Sequence, residues 1–278
     1  MVHTVAVLGL SLSVTDVGAG DPVLFVPGMG LDSRMWRLQQ APVVASGRRF
    51  LTYDPRGHGR SSVPATGYRV VDFADEAMAL LDALGIARAD IVGLSMGGSI
   101  VARMAVRWPE RVGSVTIIGS MACGYPRLSP YMQVGATASM VMDGTMDLAT
   151  YRAKRMESFL YAPTLADPVA GPVAREALTD ALQTTAVLTE TTLERFAGWP
   201  SPTDWDLWID PDRPVPALVL AGSLDEPTFR SFARDSDALP RTRGVIVEGS
   251  AHLANISHRH VVEPLLFAHL DAAGRAVA

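Results

Sequence analysis

The segment Gly93-Leu94-Ser95-Met96-Gly97-Gly98 places a serine between glycines, a pattern that suits nucleophilic chemistry. An apolar run at 90–93 precedes it, and a helical pattern from Met96 to Trp108 follows. A sharp strand-to-helix turn exposes a serine hydroxyl above a sheet, and the glycines avoid collisions with the neighbouring strand or helix. We predict Ser95 as a nucleophile, although these residues alone also allow a glycine-rich turn with an incidental serine.

A serine hydroxyl needs a base to remove its proton, and the base needs an orienting group. The strand-like run 217–221 is followed by Asp225, and the run 244–247 is followed by His252. We therefore predict His252 as the general base and Asp225 as the residue that orients it. Glu226 is the alternative acid, but it stands one residue farther from the turn after the strand.

The remaining histidines fit the base less well, because none of them directly follows the last strand; they are His3, His58, His258, His260 and His269. His58 lies in the charged loop 54–61, which precedes Ser95 in the chain. We interpret that loop as structural, with Asp54 and Arg56 satisfying backbone groups, and a direct catalytic role for His58 as the alternative.

Two backbone N–H groups are predicted to form an oxyanion hole, those of Met29 and Met96. Met96 begins the helix after the serine, and Met29 lies in the glycine turn 27–30 after the third strand. A dinucleotide-binding turn is the rival interpretation of Gly28-x-Gly30, but Ser33 stands where its third glycine belongs. No cofactor is predicted. No metal site is predicted either, since no His-x-x-x-His pair or cysteine cluster occurs.

Strand-like and helical segments alternate along the chain, which predicts an α/β fold with a mostly parallel sheet. The two first strands are expected to form an antiparallel pair at one edge. The predicted strands are 2–8, 11–17, 23–26, 49–53, 90–93, 115–118, 217–221 and 244–247. Helices are expected between Tyr68 and Ile86, ended by Gly85, and from Met96 to Trp108, ended by Pro109.

The alternation stops in the middle of the chain, which predicts a helical cap (122–213) inserted into a core (1–121 and 214–278). Methionines and aromatic residues are frequent in this region, which favours either an apolar substrate pocket or simple packing of the cap on the core. Cys123 is interpreted as a small apolar residue near the start of the cap.

Composition limits the partners of this protein. The formal net charge is −5 without a basic cluster, which argues against nucleic-acid binding. No apolar stretch reaches transmembrane length, and the N-terminus lacks the basic segment of a signal peptide. With one cysteine no intrachain disulfide can form. A cytoplasmic protein with a small-molecule substrate is expected; the oligomeric state is left open.

Several motifs together resemble the α/β-hydrolase superfamily, in the branch of enol-lactonases, small esterases and cofactor-free haloperoxidases. The resemblance lies in the stretches 53–62, 80–86, 93–98, 108–112 and 252–255. It implies an eight-stranded sheet flanked by helices, and a serine hydrolase that cleaves a carboxylic ester or lactone through an acyl-enzyme on Ser95. Two departures are Pro27-Gly28, where the family often has His-Gly, and Ala251, which replaces a glycine.

The same scaffold hosts many reactions, so the resemblance leaves other functions open. One alternative uses the same three residues for C–C bond hydrolysis, perhydrolysis or a tailoring cyclisation. Another is a non-catalytic small-molecule receptor that keeps the pocket.

Overall fold

The computed structural model describes residues 2–122, 150, 154, 157, 161–184 and 204–275. Its centre is an eight-stranded sheet with the strand order β1-β2-β4-β3-β5-β6-β7-β8. The strands are β1 (Val2–Val7), β2 (Leu10–Val17), β3 (Pro22–Val26), β4 (Arg49–Tyr53), β5 (Ala89–Leu94), β6 (Val112–Ile118), β7 (Ala217–Gly222) and β8 (Thr242–Val247). The predicted mostly parallel, eight-stranded α/β fold is confirmed.

Only the first two strands break the parallel arrangement. β1 pairs antiparallel with β2, and β2 pairs antiparallel with β4, with Val14 opposite Tyr53. From β4 to β8 every pairing is parallel. The carboxyl ends of these parallel strands therefore share one edge of the sheet, where loops from distant parts of the chain meet.

Helices cover both faces of the sheet. Before the predicted cap lie α1 (Arg37–Ala45), α2 (Val70–Ala83) and α3 (Met96–Arg107); after it lie α7 (Pro227–Ser236), α8 (Ala254–Ser257) and α9 (Arg259–Arg275). Leu24 and Val26 of β3 pack in the apolar layer shared with α2, α3 and α7. Val23 and Phe25 point to the other face, in the layer shared with α1 and α9. Burial on both faces explains the continuous apolar runs.

The ends of α2 and α3 follow the expected signals. α2 ends before Gly85, which adopts φ +68°, and the Ile86 N–H donates to the Leu81 carbonyl oxygen. α3 ends at Arg107, two residues before Pro109. Both helices are therefore positioned by their own sequence as well as by packing.

Three described helices belong to the predicted cap: α4 (Ala162–Ala166), α5 (Ala170–Thr184) and α6 (Trp205–Trp208). Cys123 and most of the methionine-rich segment lie outside the described residues, and the division between core and cap stays a prediction. Asp204, just before α6, is buried and forms ion pairs with Arg103 and Arg107 of α3, at 2.5 and 2.8 Å. No helix in the described part of the chain is long and apolar enough to span a membrane.

Candidate active site

Ser95 occupies a strained turn between β5 and α3. Its φ and ψ are +55° and −120°, a region that non-glycine residues rarely adopt and that costs on the order of 1–3 kcal/mol. Leu94 and Met96 on either side are buried, whereas Ser95 itself is partly exposed. Of these three side chains only that of Ser95 is polar, and the turn presents it outside the core. The predicted nucleophile elbow requires this exposure.

The glycines of this turn are there because neighbouring backbone leaves no room for a side chain. A Cβ at Gly93 would overlap the carbonyl of Gly97 in the helix, and one at Gly97 would overlap the carbonyl of Val26 at the end of β3. A Cβ at Gly98 would meet the side chain of Ser120. The predicted steric reason for the glycine pattern is confirmed.

The segment after β6 supports the turn from the side. The Ser95 N–H donates to the carbonyl oxygen of Ile118 at 2.9 Å, and the Ser120 hydroxyl donates to the Ser95 carbonyl oxygen at 2.5 Å. The Ser99 hydroxyl donates to the Met121 carbonyl oxygen at 2.9 Å. Sequence reasoning did not find Ser120, because no motif marks a hydroxyl that acts on the backbone of a residue in another loop.

Asp225 and His252 lie together below the surface. His252 Nδ1 is 3.0 Å from Asp225 Oδ1 and 3.2 Å from Oδ2. His252 is 1% exposed and Asp225 is 3% exposed. A carboxylate only accepts hydrogen bonds, so Nδ1 carries the proton and Nε2 is left as a proton acceptor. The alternative acid, Glu226, instead caps α7, since its carboxylate accepts the N–H of Thr228 at 2.6 Å.

Gly119 connects the serine to this pair. It directly follows Ile118, which holds the Ser95 backbone, and it adopts φ +54°. A Cβ there would lie 2.9 Å from both Asp225 Oδ2 and His252 Nδ1. One short segment therefore separates the serine turn from the imidazole, and only a glycine fits it.

The two predicted oxyanion donors belong to turns that lie next to the serine. A Cβ at Gly28 would lie 3.2 Å from Ser95 Cβ, so the turn containing Met29 runs against the nucleophile. The turn is closed by a bond from the Leu31 N–H to the Gly28 carbonyl oxygen at 3.0 Å. Met96 is the first residue of α3, and the first N–H groups of a helix have no acceptor within the helix.

Side chains of the charged loop after β4 form hydrogen bonds with neighbouring backbone groups. Asp54 accepts N–H groups from Ser33 and Arg60, both at 2.9 Å, which ties the loop to the chain that follows the Met29 turn. Arg56 donates to the Gly67 carbonyl oxygen at 3.0 Å and pairs with buried Glu76 at 2.8 Å. The structural interpretation of Asp54 and Arg56 agrees with these contacts.

Part of the predicted cap lies over the same edge of the sheet. α5 contacts the short helix Ser33–Trp36 on one side and α8, just after His252, on the other. Arg37 and Glu176 fix this arrangement with two hydrogen bonds at 2.8 and 2.9 Å. Tyr161 is buried, and its ring centroid is 6.3 Å from that of His252.

These features can now be set beside known proteins. A family profile defined as the alpha/beta hydrolase fold matches residues 21–259. This chain belongs to the α/β-hydrolase fold family. The resemblance inferred from the sequence is confirmed at the level of the family, and the strained serine between β5 and α3 stays the predicted nucleophile elbow of this α/β-hydrolase-fold enzyme.

Individual relatives differ in the reaction that their names state. The chain is 28% identical to a protein of Synechocystis sp. named as a non-heme chloroperoxidase, over 92% of this chain and 93% of that protein. It is 38% identical to the 2-hydroxymuconate semialdehyde hydrolase of Pseudomonas sp., over 42% of this chain and 43% of that enzyme. An esterase structure from Exiguobacterium antarcticum superposes with a TM-score of 0.80 at 20% identity, covering 98% of this chain and 100% of that chain. At that identity the esterase shows the shared fold alone.

Among the described residues of this α/β-hydrolase, no group of three or more His, Cys, Asp and Glu side chains is placed to hold a metal ion. The arrangement offers a strained hydroxyl and a buried His–Asp pair, and the predicted amide donors Met29 and Met96 lie in the turns beside the hydroxyl. These are the parts that acyl transfer uses.

Proposed function

We propose that this protein is a serine hydrolase that cleaves a carboxylic ester or lactone through an acyl-enzyme on Ser95. The observation that carries the proposal is the buried Asp225–His252 pair, which lies against Gly119, the residue after the Ile118 carbonyl oxygen that accepts the Ser95 N–H. A histidine that is fixed in one tautomer by a carboxylate beside a serine is the arrangement that activates a hydroxyl.

In the first half of the reaction, Ser95 Oγ attacks the carbonyl carbon while His252 Nε2 takes the hydroxyl proton. The tetrahedral intermediate collapses, the C–O bond to the alcohol breaks, and the imidazolium returns the proton to the leaving oxygen. With a lactone the leaving oxygen stays attached to the acyl chain. Asp225 stabilises the imidazolium throughout.

In the second half, water enters and His252 takes one of its protons. The hydroxide attacks the acyl carbon, the bond to Ser95 Oγ breaks, and the proton returns to the serine. The Met29 and Met96 N–H groups stabilise the oxyanion in both halves, a type of interaction for which each donor contributes about 10²- to 10³-fold in kcat.

We expect the substrate to be a small, mainly apolar molecule. Support comes from the apolar layer that Ala174 and Leu178 of α5 share with Leu253 beside His252, and from the buried ring of Tyr161. Apolar walls with few polar groups are typical of small-molecule pockets. A series of p-nitrophenyl esters from acetate to decanoate tests this expectation, and equal kcat/KM values along the series would contradict it.

The test of the main proposal is covalent labelling combined with turnover. A fluorophosphonate is expected to add one adduct to Ser95, and Ser95→Ala is expected to lose both the adduct and ester or lactone turnover. Ser114→Ala is a matched control, because its hydroxyl binds Asp90 at the opposite end of the sheet. Ser95→Ala with wild-type turnover would overturn the proposal.

The names of two relatives point to other chemistry, so the substrate panel includes it. The similarity to a 2-hydroxymuconate semialdehyde hydrolase favours testing C–C bond cleavage, and the similarity to a chloroperoxidase favours testing peracid formation from acetate and hydrogen peroxide. Turnover in one of these assays without any ester or lactone turnover would replace the proposed reaction. Folded protein that neither labels nor turns over would indicate a receptor.

A further inference from the structure

The imidazole of His252 forms an offset, nearly parallel stack with an aromatic ring from the core. The Phe229 and His252 ring centroids are 5.5 Å apart and the ring planes differ by 24°. Both side chains are only 1% exposed. The histidine ring is therefore restrained on one face by Phe229 and on the edge that carries Nδ1 by Asp225 and the Gly119 backbone.

Phe229 and Asp225 are carried by one rigid turn. Asp225 Oδ1 accepts the N–H of Glu226 at 2.7 Å, and Glu226 caps the helix that holds Phe229. The Phe229 N–H donates to the Glu226 carbonyl oxygen at 3.1 Å. The carboxylate and the phenyl ring thus keep a fixed relation to each other, and His252 fits against both.

The hydrogen bond to Asp225 leaves part of the ring orientation undetermined. Its two oxygens lie at similar distances from Nδ1, 3.0 and 3.2 Å, so the carboxylate can accept the proton over a range of ring tilts. A flat ring against the imidazole face removes that range. We propose that Phe229 is a positioning residue that holds the His252 ring at the tilt from which Nε2 reaches Ser95, an inference that rests on the proposed function.

The same contact has an electrostatic effect on the imidazolium that forms during the proposed reaction. The face of a phenyl ring carries partial negative charge and attracts a cation that lies over it. His252 becomes an imidazolium when it takes the Ser95 proton, so stabilisation by Phe229 is greatest in the transition state. Such an interaction changes kcat and leaves substrate binding nearly unchanged.

The kinetic test compares two phenylalanines on α7. Phe229→Leu keeps an apolar side chain but removes the ring, and it is expected to lower kcat about tenfold with KM within about twofold. Phe229→Tyr keeps the ring and is expected to retain kcat within about threefold. Phe232→Leu is the control: Phe232 is equally buried on the same helix but packs on Trp205 and Trp208. Equal kcat losses in Phe229→Leu and Phe232→Leu would reduce Phe229 to a packing residue and overturn the proposal.

A second readout needs no substrate, so it separates this inference from the proposed reaction. The Nδ1 proton between His252 and Asp225 is expected to give a low-field proton NMR signal, identified by its loss in His252→Ala. The signal is expected to persist in Phe232→Leu and to broaden or disappear in Phe229→Leu. Its absence from the wild type, or its full retention in Phe229→Leu, would contradict the positioning role. Phe229→Met replaces Phe229→Leu if the latter does not fold.

Discussion

Two histidines are buried at the carboxyl edge of the sheet, and they differ in what their Nδ1 atoms contact. His58 is 0% exposed and His252 is 1% exposed. His58 Nδ1 lies 3.0 Å from the carbonyl oxygen of Arg56, whereas His252 Nδ1 lies 3.0 Å from the carboxylate of Asp225. Each contact fixes the ring with its proton on Nδ1, since both partners only accept hydrogen bonds.

The difference bears on the role of each ring. Burial lowers the pKa of His58 to about 4, and the Arg56 carbonyl oxygen and the charge of Asp32 offset this only in part. At His252 the adjacent group is a carboxylate, which stabilises the imidazolium that forms when a catalytic base takes a proton. We therefore interpret His58 as a structural histidine and keep His252 as the proposed base. Four predictions test this comparison.

The largest effect is expected at the base itself. His252→Ala should lower kcat for ester hydrolysis by on the order of 10⁶-fold, because the Ser95 hydroxyl then has no proton acceptor. Steady-state turnover of p-nitrophenyl acetate, with unfolding by urea to confirm the fold, measures the effect. Residual activity within tenfold of the wild type would make another residue the base.

The next effect tests the carboxylate. Asp225→Asn should lower kcat by roughly 10⁴-fold, since an amide can donate to Nδ1 and so favours the wrong tautomer. Glu226→Gln is the matched control, because glutamine can still accept the Thr228 N–H, and kcat should stay within a few-fold. The reverse order of effects would assign the orienting role to Glu226.

A smaller loss is expected where backbone approaches the pair. Gly119→Ala places a Cβ 2.9 Å from Asp225 Oδ2 and His252 Nδ1, so the pair must shift, and kcat should fall by about 10²-fold. Gly85→Ala is the control, because Gly85 also has positive φ, at +68°, but nothing lies within 4 Å of its Cβ position. Equal kcat values in the two variants would mean that the pair tolerates displacement.

The smallest effect on kcat, and one on stability, is expected at the structural histidine. The folded-state pKa of His58, about 4, is below the unfolded value of about 6.5, so the unfolded chain binds more protons between these pH values. The free energy of unfolding should therefore fall as pH drops from about 6.5 to about 4, by on the order of 3 kcal/mol for this group. Burial also lowers the pKa of His269 to about 4, which adds a second contribution of the same sign.

His58→Asn isolates the first contribution, because its amide can still donate to the Arg56 carbonyl oxygen. The free energy of unfolding, measured with urea, should fall between pH 7 and pH 5 in the wild type. In the variant this fall should be smaller by about 2 kcal/mol. At pH 7, kcat should stay within about threefold of the wild type. A hundredfold loss of kcat in a folded variant would give His58 a part in catalysis and remove the contrast with His252.

Much of this architecture was predictable because local patterns record it. The run 49–53 has the predicted bounds, and Ser95, Asp225 and His252 each follow a strand-like run at the expected distance. The sequence predicted that β6 begins at Val115, but the strand begins at Val112. The prediction was late because Gly113 and Ser114 interrupt the apolar pattern. Ser114 is nevertheless buried, and its hydroxyl donates to Asp90.

Contacts between distant segments were not predictable. In the sequence, Phe229 cannot be distinguished from the other apolar residues of its helix. Its stacking on His252 depends on how the segment after β7 and the loop after β8 pack against each other. The ion pairs of Asp204 with Arg103 and Arg107 join residues about a hundred positions apart. Periodicity reports which side of an element is buried, and it carries no information about the partner on that side.

The chain leaves the sheet after Ile118 in β6 and returns at Ala217 in β7, and these two strands are direct neighbours. β6 and β7 are parallel, with Ile118 beside Leu220 and Val115 beside Ala217, so the chain leaves at the carboxyl edge of the sheet and has to re-enter from the opposite edge. Parallel strands need a crossover of about a dozen or more residues, which a short hairpin loop cannot replace. Evolution could exchange one insertion for another at this junction without altering the pairing of a single strand, provided that each keeps such a crossover. For protein engineering, the same requirement sets the shortest segment that can replace this one.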